Sequence, residues 1–361
     1  MKILMMSKIF VHSGVASHIM DLSKNLQERG HSVWICSSNN ENAEFCQRNN
    51  ITFLKIDFSL SFLNFIKNVK KIREFINKNK IDIVHCHHRT CSFYMNIINF
   101  ITKVPFVWTN QLNNIPSDFI HRKTTFYGKQ AICVSSDLKK FCVEKLKIPE
   151  QRISIVCYGL PPERYQYDSE YVAEFRNRYD IGDKKIIGML ARIAPIKGHI
   201  HLINAISNID KEKLNNCIIV FFGALLEDDY IEYLKSEIHS KNLEQYFIFE
   251  KFIKPEQALS LSDITVLPSL DEGFAIVSIE SFFMKKLHIR TKTAGYSDMS
   301  DCCIGIEIGD EIQLKKELEK YLDGYDYTNL VNHAYDEAQV KFTINKMIES
   351  ILDIYQKAIE C

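Results

Sequence analysis

The chain has 361 residues, 46% apolar and 25% charged, too long for one ordinary domain and too apolar for a disordered chain. Residues 1–160 hold 22 Lys and Arg against 11 Asp and Glu, a net of +11, and residues 161–361 hold 23 against 34, a net of −11. Two halves of opposite sign predict two domains, the first favouring an anionic partner, while the missing aromatic–basic interleaving argues against nucleic acid.

Met1 to Lys8 contain one short apolar run without the long apolar core of a signal peptide, and no stretch approaches the roughly 20 apolar residues of a spanning helix. The expected location is the cytosol. Eleven cysteines are scattered, mostly in apolar runs such as those around Cys36, Cys86, Cys133, Cys157 and Cys217, with no Cys-x-x-Cys pair. They read as buried reduced thiols. His85-Cys86-His87-His88 lies on a strand that turns His85 and His87 to one face and His88 to the other, a poor ligand set for a metal.

Along the chain, short β-branched runs alternate with amphipathic stretches, the pattern of repeated β–α units around parallel sheets. Strands are predicted near 2–6, 32–37, 52–56, 81–86, 105–109, 131–134 and 153–157, with helices over 15–29, 61–79, 91–101 and 136–146. Residues 161–183 are polar and read as a linker with a short helix over 169–179. Alternation resumes with strands at 185–191, 217–222, 246–252, 264–267 and 287–290, and helices at 311–322 and 343–359 close the chain. The fold class is therefore α/β, with a Rossmann-like domain over 1–160, a second over 184–340, and a final helix within 341–361 packing back toward the first. Ligands in such sheets bind beyond the carboxyl ends of the strands, which singles out the loops 7–14, 86–90, 191–198, 223–228 and 268–274.

Gly14, in Ser13-Gly14-Val15-Ala16-Ser17-His18, follows the first strand and lets backbone approach a ligand closely. Arg192 ends an apolar strand, Pro195 fits a helix start, and Arg192 and Lys197 would converge where a pyrophosphate could be neutralised without a metal. Read alone, they are equally two solvated cations. In Pro268-Ser269-Leu270-Asp271-Glu272-Gly273-Phe274-Ala275, a strand ends, a loop presents Glu272 and Gly273, and a helix begins near Ala275 with amides suited to a phosphate. Glu280, about one and a half turns into that helix, could accept from two adjacent ribose hydroxyls. An isolated Glu-Gly also fits a capped helix with a solvated Glu.

Taken together, the Gly14 loop, Asp82 to His87, Ala131 to Ser136, Arg192…Lys197-Gly198 and Glu272…Glu280 resemble glycosyltransferase family four over roughly residues 1–350. The two glutamates seven residues apart are the most specific part. The resemblance implies the GT-B fold, two Rossmann-like domains facing across a cleft, a nucleotide-sugar donor, no metal or other cofactor, and transfer with retention at the anomeric carbon. Carried over by position, Gly14 would approach the donor diphosphate and His87 the transferred sugar. Arg192 and Lys197 would hold the diphosphate. Glu272, Gly273 and the amides of Phe274 and Ala275 would meet sugar and phosphate, and Glu280 the ribose. Ser13, Tyr158, Gly223-Ala224-Leu225, Lys285 and Leu287 depart from the family's pattern, which has Gly, Asn, a Gly-x-Gly, Gly and Pro there.

The implied function is transfer from a UDP-sugar to a glycan or lipid-linked glycan in a bacterial surface polysaccharide, lipopolysaccharide or capsule. A nucleotide-sugar epimerase of the same fold, or a non-catalytic paralogue acting as a partner protein, are the alternatives. Lys67, Lys70, Lys71, Arg73, Lys78 and Lys80 surround an apolar stripe of Phe62, Leu63, Phe65, Ile66, Val69, Ile72, Phe75 and Ile76. That stripe either faces the domain core or, with its lysines, rests on an anionic membrane surface.

Overall fold

The computed structural model describes residues 1–11, 13–39, 41–58, 61–223, 228–251 and 253–360. They divide into two compact units, Met1–Gly159 with Ile344–Cys361, and Leu160–Thr343. In the first unit β1 (Lys2–Met6), β2 (Ser32–Ser37), β3 (Thr52–Lys55), β4 (Ile83–Cys86), β5 (Phe106–Asn110), β6 (Gln130–Cys133) and β7 (Ile153–Ile155) form one parallel sheet ordered 3-2-1-4-5-6-7. Every residue of β4 and β5 is buried, as expected for central strands covered on both faces.

The helix Ile344–Glu360 belongs to this unit although it ends the chain. Ile344, Met347, Ile348, Ile351, Ile354, Tyr355 and Ala358 recur at helical spacing and are buried with Ile3, Met5, Ile19 and Leu22 in one core. Ten described cysteines are free thiols, nine of them buried.

The second unit carries β8 (Lys185–Leu190), β9 (Cys217–Phe222), β10 (Phe247–Glu250), β11 (Ile264–Leu267), β12 (Leu287–Thr291) and β13 (Ile304–Ile306), parallel throughout in the order 10-9-8-11-12-13. Each sheet thus reverses its winding once, between β1 and β4 and between β8 and β11. Those two reversals are where an open α/β sheet leaves a crevice for a ligand.

Residues 161–183 are not a separate linker. They fall inside the second unit, where Val172 and Phe175 of the helix Ser169–Arg178 pack against Ile186, Ile218, Val220 and Phe222. Two apolar residues one turn apart anchor a helix whose other faces are polar, and composition alone hides that. Helices at Ala43–Arg48, Phe119–Lys123, Asp228–Ser240, Pro255–Leu261 and Thr328–Lys341, and the three-residue β13, were not anticipated from the sequence. Within the apolar stripe of the helix Phe62–Asn79, Ile72 and Ile76 are buried and Phe65, Val69 and Phe75 half-buried, so most of it faces the core. Leu63 and Ile66 remain outside, 77% and 52% exposed, beside exposed Lys67 and Lys70. Among the described residues no helix is long and apolar enough to cross a membrane.

Candidate functional site

In the first unit, Met6 ends β1 opposite Cys86 of β4, and the His87 amide donates to the Met6 carbonyl at 2.8 Å, which sets His87 at the point of reversal. Ser13 caps the helix Gly14–Glu28, its hydroxyl accepting from the Ala16 amide at 3.3 Å, so the residue standing for a family glycine has a structural task. Gly14 is the first residue of that helix. His18, one turn further, is buried, with its ring 5.4 Å from that of His87 and 4.8 Å from that of Tyr158.

His85 lies 4.0 Å from His87, ring to ring, and is fixed by the Tyr355 hydroxyl at 2.6 Å and the Thr109 hydroxyl at 2.5 Å. Burial pushes His18 down to about 3, and burial with the neighbouring histidines holds His85 and His87 well below the usual imidazole range. All three rings are therefore neutral at pH 7. Neither ring nitrogen of His87 has a hydrogen-bond partner among the described residues. A neutral imidazole offers one donor and one acceptor, which matches a hydroxyl-bearing ligand. His18 and Tyr158 were visible in the sequence only as a residue four after Gly14 and as a departure from Asn. Tyr355 carried no signal, because only the return of the last helix places it there.

In the second unit, Leu190 and Leu267 end β8 and β11, and the loops that follow interlock. The Leu270 amide donates to the Ile196 carbonyl at 2.8 Å, and the Thr291 hydroxyl donates to the Ser269 carbonyl at 2.6 Å. Gly198 has φ +76°, and a Cβ there would stand 2.0 Å from the Pro268 carbonyl oxygen. Only glycine allows that contact. The helix start expected at Pro195 is instead a single turn, Pro195–Lys197, closed by Gly198; the helix proper is His199–Ser207.

This interlock brings Lys197 and Glu272 together. The Lys197 ammonium donates to Glu272 Oε1 at 2.7 Å, the Ser269 hydroxyl donates to the same oxygen at 2.7 Å, and the two charged side chains are 19% and 10% exposed. Arg192 stands exposed at the end of β8. After half-buried Gly273 and buried Phe274, Ala275 takes φ +66° and the helix Ile276–Phe283 begins, one residue later than read from the sequence. No acidic residue in its first turn offsets the helix dipole, so its start favours an anion. Glu280, half-buried on the same helix, accepts from the Tyr165 hydroxyl at 3.2 Å.

Sequence reasoning missed Arg290. It is fully buried and donates to the Phe274 carbonyl at 3.0 Å, the Thr293 hydroxyl at 3.0 Å and the Ala294 carbonyl at 3.1 Å. Gly295, with φ +83°, lies so close that a Cβ would stand 2.7 Å from Phe274 Cα. The guanidinium therefore fixes the loop carrying Glu272 and adds a positive charge beneath the helix start. In the loop 223–228, residues 224–227, with Ala224 and Leu225, lie outside the described residues.

Residues 12–164 match the model for glycosyltransferase family 4, and residues 172–325 that for glycosyl transferases group 1. An uncharacterized glycosyltransferase of Methanocaldococcus jannaschii is 21% identical over 375 residues, covering 96% of this chain and 95% of the relative. The UDP-Gal:alpha-D-GlcNAc-diphosphoundecaprenol alpha-1,3-galactosyltransferase of Escherichia coli is 24% identical over 247 residues, 62% of this chain and 61% of that one. Among solved structures, Anabaena HepE in complex with UDP is similar with a TM-score of 0.87 at 16% identity, covering 99% of this chain and all of that one, which places the fold among those of GT-B type.

Proposed function

The chain belongs to the glycosyltransferases of family four, and we propose that it moves a sugar from UDP, with retention at the anomeric carbon, to a glycan or lipid-linked glycan of a surface polysaccharide such as a lipopolysaccharide or capsule. The observation that carries this reading is the Lys197–Glu272 pair inside the interlocked loops of the second unit. An ammonium shared with a carboxylate can turn to a phosphate when one arrives, and Glu272 is then released to accept from a sugar hydroxyl. Arg192, Lys197 and the start of the helix Ile276–Phe283 meet the charge that grows on the departing diphosphate, without a metal. Glu280, already in hydrogen bond with Tyr165, takes the ribose hydroxyls.

His87 of the first unit, neutral and with no hydrogen-bond partner at either ring nitrogen among the described residues, is suited to a hydroxyl-bearing ligand. No covalent nucleophile is assigned; orientation and leaving-group stabilisation supply the rate. The UDP bound by the similar HepE and the UDP-galactose and polyprenyl-linked acceptor in the name of the E. coli relative support this choice of donor and acceptor. A thermal-shift panel of UDP-, GDP- and ADP-sugars tests it, UDP compounds being expected to stabilise the protein most. Free sugar released from donor without acceptor at the full rate would favour the epimerase instead. Protein that neither binds nor turns over any nucleotide-sugar would refute both.

The same reading extends to the acceptor side. Exposed Leu63 and Ile66 with Lys67 and Lys70 form an apolar rim set in positive charge, suited to anionic lipid that holds the acceptor. The protein should sediment with anionic vesicles at low salt and be released as salt rises. Failure to bind them at low salt would leave a soluble acceptor as the better reading.

A further inference from the structure

Away from the donor machinery, the second unit gathers an aspartate, a cysteine and a histidine. Asp301 and Cys302 lie in the loop between β12 and β13, and His333 lies on the helix Thr328–Lys341. His333 Nε2 is 3.1 Å from Asp301 Oδ2, Cys302 Sγ is 3.5 Å from Asp301 Oδ1, and one ligand atom from each lies within 4.8 Å of the other two. We propose that Asp301, Cys302 and His333 bind a transition-metal ion, zinc by ligand chemistry.

The geometry supports this. Zinc bonds of about 2.0–2.3 Å to oxygen, nitrogen and sulfur set tetrahedral ligand atoms about 3.3–3.8 Å apart. The Asp301–His333 and Asp301–Cys302 separations, 3.1 and 3.5 Å, are close to that range, and with all three ligand atoms within 4.8 Å of one another a bound ion would draw Cys302 and His333 together about it. A mixed sulfur, nitrogen and oxygen set selects zinc or cobalt over magnesium or calcium. Cys302 is buried while the Asp301 and His333 side chains are 56% and 48% exposed, so an ion would enter from solvent and seat on the sulfur. A water would complete the coordination.

Such an ion would tie the loop after β12 to the helix Thr328–Lys341. The same loop carries Gly295, whose backbone is pressed against Phe274. The metal would thus brace the donor loop from outside, contributing stability and leaving the chemistry to the residues above. The inference does not depend on the donor or acceptor assigned.

Cobalt(II) titrated into the reduced, full-length protein tests it. One equivalent should raise a thiolate-to-cobalt charge-transfer band, which zinc then bleaches. Cys302→Ser should abolish the band, Cys303→Ser should keep it, and His333→Ala or Asp301→Asn should weaken cobalt affinity by at least about tenfold. Each variant's circular dichroism and melting without metal show whether it is folded. Zinc should raise the melting temperature of the native protein and not of Cys302→Ser. No band at saturating cobalt, a band lost only with Cys303, or unchanged affinity in folded His333→Ala would overturn the site and leave Asp301 and His333 as a surface ion pair.

Discussion

Replacing Lys197 by Met separates what the ion pair does for the fold from what it does for transfer. The change keeps the alkyl stem and removes the ammonium, leaving Glu272, only 10% exposed, with the Ser269 hydroxyl as its remaining described hydrogen-bond donor. Exposed pairs are worth about 0–1 kcal/mol, and an orphaned fully buried charge costs about 3–5 kcal/mol. This pair lies between those limits, so a loss of about 2 kcal/mol is expected. In a unit of this size that lowers the melting temperature by about 4–8 °C.

Turnover should fall further, by about 100-fold or more, because the charge growing on the diphosphate loses a fixed cation. The double variant Lys197→Met with Glu272→Gln tests the division. Removing the orphaned charge should restore most of the lost stability, while turnover stays at least about 100-fold down. Urea unfolding reads the first quantity, and donor turnover at saturating acceptor reads the second. If the double variant regains both, or if Lys197→Met turns over as the native protein does, Lys197 is scaffolding and the diphosphate role is wrong.

Glu280→Ala should weaken donor binding by about 10- to 100-fold, the loss of a charged acceptor, with acceptor binding little changed; equal donor affinity by calorimetry would remove the ribose assignment. Gly198→Ala forces a Cβ to 2.0 Å from the Pro268 oxygen at φ +76°. The two loops must part, so turnover should drop by as much as about 100-fold while circular dichroism is unchanged; native turnover would show that the interlock does not position Lys197. His288, held between the Thr265 hydroxyl at 2.8 Å and the Ser278 hydroxyl at 2.9 Å, is pushed down to about 3 by burial and then by the Arg290 charge. The unfolded chain takes up that proton near pH 6.5 and the folded one does not, so this stability is complete above pH 6.5 and is lost as pH falls toward 3. Between pH 7.5 and 5, unfolding should cost about 2 kcal/mol less on account of His288 alone, and His288→Asn should flatten the slope by that amount; an unchanged slope would mean that His288 is protonated in the fold.

The strand runs and the longer amphipathic helices were legible because parallel strands buried on both faces must be apolar throughout, and a one-faced helix must repeat near 3.6 residues. The predicted helices 311–322 and 343–359 correspond to Glu311–Leu322 and Ile344–Glu360 almost residue for residue. Short helices such as Ala43–Arg48 and Pro255–Leu261 span too few turns for a period to stand out. Gly14, Arg192, Lys197, Glu272 and Glu280 could be proposed from strand ends and Gly-containing loops, which announce where a sheet can receive a ligand, and His87 only through the resemblance to the family.

Pairing lay beyond that reading. Lys197 and Glu272 are 75 residues apart, and their contact exists because β8 and β11 are neighbours in the sheet and a glycine lets one loop press on the other. Arg290 reads in the sequence as an odd cation in a strand; only the fold buries it and aims it at the Phe274 carbonyl. Tyr355 reaches His85 from 270 residues away because the last helix returns to the first core. Local sequence determines which face of each element is apolar and which loops can take a ligand. Which charges meet, and which rings lose their water and stay neutral, depends on strand order and on desolvation by residues distant in the chain.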